Sequence, residues 1–391
     1  MKKNAHFWLI TSILLVFLLA AGLRTYAAFN LHVDHDETTY LIVSNKYANH
    51  MRNGELNWLV WEKSNFEHPP LAKILNGVVL LSQAPLDVVN QSDLIDEQPI
   101  EDQQAVEYAL AARMVSVIFG SLAVLLMAIL NPLAGFFLAI NSLAVKYTSE
   151  IYLEAIPMFA SFLAVLAYTR FFSLQKEGQP KKNKTFLWLT LSAVGLGLTA
   201  ASKYTYVVAG IAIVMHWLLS IMTRKMPARS LFFLLGWGGA SLVFFFLLDP
   251  YLWVHTIERL GNTLSYHLRF SQTEFVQGSM YPVWQPLNWL FRPFGHYTTV
   301  HDPYHNNALL FRLDTLISIF AILGLWRTLK RQPVFIIWLL IGLGLLFYWD
   351  TKWAQYTLIL LAPWCFAASQ GAMMVFEFTR SFLIKPARKT T

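Results

Sequence analysis

Charge is scarce in this sequence. Asp, Glu, Lys and Arg make up 14% of its 391 residues and hydrophobic residues 56%, where soluble domains carry about 25% charged and about 45–50% apolar residues. That balance excludes a soluble globular enzyme, a disordered chain and a coiled coil. Cysteine is nearly absent. The single one, Cys365, lies in an apolar run, so the chain has no intrachain disulfide, no CxxC metal site and no thiol relay. There is no long repeat, no low-complexity stretch and no Gly/Ser linker, so residues 1–391 read as one integral unit. A Gly-rich phosphate loop is also missing, and with it the usual signature of a bound nucleotide.

What the sequence does have is long apolar runs. A bilayer-spanning helix needs about 20 apolar residues, and ten runs approach that length, near 7–28, 109–130, 132–146, 153–172, 186–201, 204–222, 230–248, 308–326, 334–349 and 355–376. The third is short, and Asn131-Pro132 breaks the chain before it. The first is longer than the apolar core of a secretory signal and reads as a retained membrane anchor. The formal charge of +7 sorts by connection. Alternate connections (Lys2-Lys3, 175–184, 223–229, 327–331 and 380–389) hold sixteen Lys/Arg, opposed by Glu177 and Glu377. The connection 29–106 instead holds twelve Asp/Glu against four Lys/Arg. The positive-inside rule then expects both termini and the basic connections in the cytoplasm and the acidic one outside a cell membrane crossed many times. The positive charge reports this topology, and a nucleic-acid footprint is not expected.

Two outward connections, 29–106 and 249–307, are too long to be plain links. They contain Trp58, Trp61, Trp253, Tyr266, Tyr281, Trp284, Trp289 and Tyr297, whose amphipathic rings suit interfacial anchoring and equally a sugar-binding cleft. The fold class expected is therefore an all-α integral membrane protein of about ten transmembrane helices, with two long exoplasmic loops that carry interfacial helices.

The polar chemistry clusters at the ends of the spans. His32-Val33-Asp34-His35-Asp36-Glu37 follows the first span, where a carboxylate can stay charged and still face a partly desolvated cleft, as a general base requires. Asp34 or Asp36 could equally cap the helix that follows, and His32, His35 and Asp36 are of metal-ligand type without a diagnostic spacing. Glu67-His68-Pro69-Pro70 opens a helical apolar pattern (Leu71, Ile74, Leu75, Val78, Val79), so His68 and Lys73 would bracket a helix amino end. Such an end suits a phosphate, although Lys73 could merely snorkel. In Tyr147–Pro157, Glu150 and Glu154 stand four residues apart, and Glu154 lies nearer the apolar segment. Lys203 and Lys352 sit almost directly between apolar runs, where charges are functional or snorkel. Arg113 lies inside the second span and needs an acid.

Taken in order, Asp36-Glu37, His68-Pro69-Pro70-Leu71, Ala111-Ala112-Arg113-Met114-Val115-Ser116 with Phe119-Gly120, Lys203, and Thr351-Lys352-Trp353-Ala354-Gln355-Tyr356 resemble the multispanning GT-C glycosyltransferases that use lipid-phosphate sugar donors. Protein O-mannosyltransferases and the aminoarabinose transferase of lipid A show the pattern most fully. The resemblance covers most of the chain and rests on order and membrane placement more than on any one motif. It implies catalytic acids at Asp36, Glu37 and Glu154, with Asp36 the base, and donor phosphate held by His68, Lys73, Lys203 and Lys352. Two positions depart from the pattern. The family often has Asp where Glu154 stands, and His68 replaces a phosphate-contacting Lys. Members commonly carry further spans or a soluble outer domain, which this chain, ending soon after its tenth span, is expected to lack.

The function so implied is inverting transfer of a sugar from a polyprenyl-phosphate donor to a hydroxyl of a protein, lipid or glycan acceptor on the exoplasmic side. No cofactor is required; a divalent metal is compatible with this chemistry. A polytopic transporter or flippase of lipid-linked sugars is the alternative. It would place its ionisable residues deep inside broken spans instead of at one face.

Overall fold

The computed structural model describes residues 2–31, 33–84, 103–176, 182–293 and 308–383, and among them the chain is helical throughout, without strands. In chain order the helices are α1 (Lys2–Asn30), α2 (His35–Arg52), α3 (Trp58–Trp61), α4 (Leu71–Leu80), α5 (Gln103–Leu130), α6 (Pro132–Ile140), α7 (Ser142–Tyr147), α8 (Ala155–Lys176), α9 (Lys182–Ser202), α10 (Val208–Met222), α11 (Leu231–Leu248), α12 (Thr256–Phe270), α13 (Glu274–Gly278), α14 (Gln285–Phe291), α15 (Ala308–Arg331), α16 (Pro333–Tyr348) and α17 (Leu361–Leu383). His32, Tyr297 and the loop stretches 85–102 and 294–307 lie outside the described residues, as do 177–181 and 384–391 of the basic connections.

Seven helices among the described residues are long and apolar enough to cross a membrane: His6–Asn30, Glu107–Leu130, Ala155–Gln175, Asn183–Ser202, Tyr204–Met222, Ala228–Leu248 and Ala354–Phe382. Of the three other runs read from the sequence, two are divided or shortened for physical reasons. The run 132–146 divides at Asn141 into α6 and α7. Asn131 caps the first with its side chain (3.0 and 3.1 Å to the amides of Leu133 and Ala134), and Asn141 caps the second (3.0 Å to the amide of Ala144). The break is secured from α15, where Asp314 accepts from the Asn141 side chain (2.9 Å), the Ser142 amide (3.1 Å) and the Ser142 hydroxyl. Helix α16 has 16 residues, a rise of about 24 Å, short of a hydrocarbon core of about 30 Å. Helix α15, over the run 308–326, has 24 residues, a rise of about 36 Å.

The spans touch through small residues, as helices do where lipid supplies no hydrophobic drive. Helices α15 and α17 cross at Gly324 and Gly371, and a Cβ built on Gly371 would stand 1.9 Å from the carbonyl oxygen of Phe320. Gly371→Ala must therefore push the pair apart, which costs about 1–3 kcal/mol. A lower thermal midpoint in detergent checks this, with Gly236→Ala, which meets nothing within 4 Å, unchanged beside it. Gly120 serves a different purpose. It leaves room for the Arg24 guanidinium of α1 to reach the Thr148 hydroxyl at 2.8 Å, a space its own Cβ would fill.

The two long loops fold against each other. Helix α12 presents Arg259, Thr263 and His267, four residues apart and so on one face, to the first loop. They donate to the carbonyls of Val60 (2.7 Å), Phe66 (3.2 Å) and Glu67 (2.9 Å). A carbonyl only accepts, so His267 is protonated on Nε2. The adjoining side of α12 exposes Ile257, Leu260, Leu264 and Leu268.

Candidate active site

Helix α2 begins at His35 because Asp34 holds extended backbone (φ −82°, ψ 153°) and Glu37 reaches back to the Asp34 amide at 3.0 Å, one half of a capping box. Acids in the first turn also complement the helix dipole. Three carboxylates thus stand within four residues, and their surroundings separate them.

Glu37 is 1% exposed and gripped by Arg113 through two bonds, Nε to Oε1 at 2.9 Å and Nη2 to Oε2 at 2.6 Å. It also accepts the Ile151 amide at 2.6 Å. Arg113 spends its remaining nitrogen on the carbonyls of Ala28 and Leu31 (2.7 and 2.9 Å). The acid Arg113 needs is therefore Glu37, and Glu37 ties α1, α2 and α5 together with its lone pairs occupied. Asp34 accepts from Lys146 Nζ (2.9 Å) and from the Tyr152 hydroxyl (2.6 Å). Burial alone would raise its carboxyl, but the Lys146 charge and the Tyr152 bond outweigh it and hold Asp34 below the usual range.

Asp36 is different. Its bond is a long one from Gln355 Nε2, at 3.4 Å. Burial and then the charge of Asp34 raise its carboxyl above the usual range, against the pull of Lys203 and His35. Of the three acids, Asp36 is the one that no cation hydrogen-bonds among the described residues.

The stretch between α7 and α8 supplies the opposite wall. Lys146 bridges Asp34 and Glu150, at 2.9 Å each, with Glu150 fully buried. Glu154, also fully buried, pairs with Lys203 through Oε1, while its Oε2 has no hydrogen-bond partner among the described residues. Lys203 stands 4.9 Å from the centre of the Tyr356 ring. Tyr40 packs edge-on against Tyr152 and His68 (6.1 and 6.2 Å between centroids). Asp36, Glu154, Lys203, Gln355 and Tyr356 therefore converge from α2, the start of α8, the α9–α10 junction and the start of the last span.

The cations expected to hold phosphate fare unequally. Lys73 is 1% exposed and gives its three protons to the Asn65 carbonyl (2.6 Å), the Asn65 side-chain oxygen (3.1 Å) and the His68 carbonyl (2.9 Å). Burial lowers its ammonium to about 8, against the pull of Glu67, Asp249 and Glu62. It stitches the 65–68 turn and has no proton left for a ligand. His68 is held well below its usual range, first by burial and then by Lys203, His267 and Lys73, so at neutral pH it is uncharged. It can offer a hydrogen bond but not the cation that a Lys would supply. Lys352, 6% exposed, donates to the Trp349 carbonyl at 2.6 Å. Lys203 is the lysine whose charge reaches Asp36.

Among the described residues no three His, Cys, Asp or Glu converge as a metal site; of the His32, His35 and Asp36 set, the side chain of His35 is exposed. The Lys146 clamp was not singled out from the sequence. Its one local signal is the four-residue spacing to Glu150, since Asp34 lies 112 positions away. Tyr40 and Tyr152 carried no signal beyond being aromatic.

No protein-family model and no curated protein matches this sequence. Solved structures do match. The oligosaccharyltransferase AglB of Archaeoglobus fulgidus, in complex with an inhibitory peptide and a dolichol-phosphate, superposes with a TM-score of 0.55 at 12% identity, covering 97% of this chain and 51% of its own. ArnT from Cupriavidus metallidurans, bound to undecaprenyl phosphate, gives 0.53 at 12% identity, covering 95% and 60%. The Pmt1-Pmt2 protein O-mannosyltransferase complex of S. cerevisiae, bound to the sugar donor, is 20% identical over 66% of this chain and 34% of its own, and its TM-score of 0.46 carries no weight. The chain has the GT-C glycosyltransferase fold, and it spans between about a third and three fifths of the length of these structures. At such identities the likeness is one of fold, built here from membrane-crossing helices.

Proposed function

We propose that this chain is a glycosyltransferase of the outer membrane face that moves a sugar from a polyprenyl-phosphate donor to an acceptor hydroxyl. The observation that carries the reading is the sorting of the acids on α2: Asp34 and Glu37 are locked by Lys146 and Arg113, while Asp36 is left to act. The acceptor hydroxyl gives its proton to Asp36 as its oxygen attacks the anomeric carbon. The bond from that carbon to the phosphate oxygen breaks, and its electron pair leaves with the phosphate. One displacement inverts the anomeric centre. Lys203 stands where the leaving charge grows, and a fixed cation there favours the transition state over the ground state.

The placement of charge supports transfer over transport. Of the buried charged residues among those described, Glu37, Lys73, Lys146, Glu150, Glu154, Lys203, Asp249, Arg259 and Lys352 fall in or beside the connections that alternate with the basic ones, while Arg24, Arg113 and Asp314 lie within spans, Asp314 at the break between α6 and α7. The basic connections alternate with these in the sequence, and the positive-inside rule supports an acid-rich side outside the cell. A transporter would set such groups near mid-membrane. The exposed apolar stripe of α12 would then rest in the outer lipid headgroup layer.

Purified protein supplied with a radiolabelled polyprenyl-phosphate hexose should release polyprenyl phosphate and label an acceptor, and Lys203→Gln should slow this by about 10²–10³-fold, the scale for losing one charge-stabilising group. Movement of intact donor across vesicles, with no cleavage of the sugar–phosphate bond, would favour the transporter instead.

A further inference from the structure

We infer that Glu154 drives release of the spent lipid carrier, by repelling a doubly charged phosphate from Lys203 more strongly than it repels the singly charged phosphate of the donor. The inference rests on the reading of Lys203 as the phosphate cation. Glu154 pairs with Lys203 through Oε1, its Oε2 is buried without a partner among the described residues, and the two side chains are 0% and 4% exposed. Any phosphate oxygen that reaches Lys203 therefore arrives beside a carboxylate, in a place where water screens little.

The two lipids differ in the charge they bring there. The donor is a phosphodiester and carries one negative charge. Transfer cleaves the bond between anomeric carbon and phosphate oxygen, leaves the electron pair on that oxygen, and yields a phosphomonoester. Its second proton has a pKa of about 6, so near neutral pH it carries close to two charges. Lys203 attracts the product more strongly than the donor, and without a counterweight the site would hold its own product. Glu154 supplies the counterweight, and it acts on the difference between the two ligands.

Binding of a short-chain polyprenyl monophosphate and of the matching polyprenyl methyl phosphate, a diester with one charge, tests this in the full-length protein in detergent. The wild type should bind the methyl diester more tightly than the monophosphate. In Glu154→Gln the order should reverse, with monophosphate affinity rising about tenfold and diester affinity changing less. Repeated turnover by Glu154→Gln should fall well below its first-turnover rate, because product leaves slowly, and Glu154→Asp should restore part of the difference. A wild type that prefers the monophosphate, or a Glu154→Gln protein that binds it no more tightly than the wild type, overturns the inference. If the wild type binds neither lipid, the reading of the site fails with it; if Asp36→Asn abolishes transfer while Glu154→Gln leaves monophosphate binding unchanged, the release role alone is wrong.

Discussion

Asp36→Asn should leave the protein inserted and folded and lower transfer by about 10²–10⁴-fold, the range that a positioned general base contributes. The substitution keeps the shape of the side chain and its bond with Gln355 but removes the ability to accept a proton. Stability should move the other way. Burial and the neighbouring Asp34 raise the Asp36 carboxyl above its unfolded value, so ionising it opposes folding at any pH above that raised value. The Asn variant should therefore melt at or above the wild-type temperature at pH 7, and the difference should shrink as the pH falls through the Asp36 titration. The same shift sets the acid limb of the wild-type rate, which should drop as Asp36 is protonated, above the ordinary aspartate range near pH 4. Normal transfer by Asp36→Asn would remove the base assignment.

Arg113→Ala should be the most damaging change to the fold, at about 3–5 kcal/mol, the cost of stripping one partner from a buried ion pair. Glu37 would be left 1% exposed with its charge uncompensated, and the carbonyls of Ala28 and Leu31 would lose their donor. Combining Arg113→Ala with Glu37→Gln should recover part of the loss, because the stranded charge is gone. Thermal melting in detergent of the two single variants and the double variant measures this coupling. A double variant as unstable as the sum of the singles would show that the pair is not the joint between α1, α2 and α5.

Those two residues also show what the sequence reveals of the site and what it hides. The membrane class and seven of the crossing helices are visible because apolar runs are local and long. The alternation of basic with acidic connections is visible too, because charge counts are local. Asp36 stands out through its place after the first span. Its difference from Glu37 does not, since adjacent acids look alike until Arg113, 76 positions away, is seen to take one of them. The same holds for Asp34 and Lys146. Lys73 and His68 read as cations at a helix amino end, and local spacing supports that much. Spacing does not reveal that Lys73 closes its own turn on Asn65 and His68, or that burial leaves His68 neutral. The run 132–146 is apolar enough to pass for a span, and its break is set by Asp314, more than 170 positions on.

Sugar stereochemistry tests the central claim most directly. The account requires a single displacement in which Asp36 activates the acceptor while the lipid phosphate departs from the opposite side. Transfer from a β-linked polyprenyl-phosphate hexose, followed by NMR of the anomeric proton in the product, should show the α-linked glycoside and no β-linked product. A product that keeps the donor's anomeric configuration would exclude a single displacement from the face opposite the phosphate, and would contradict the account of Asp36 as the base for that attack.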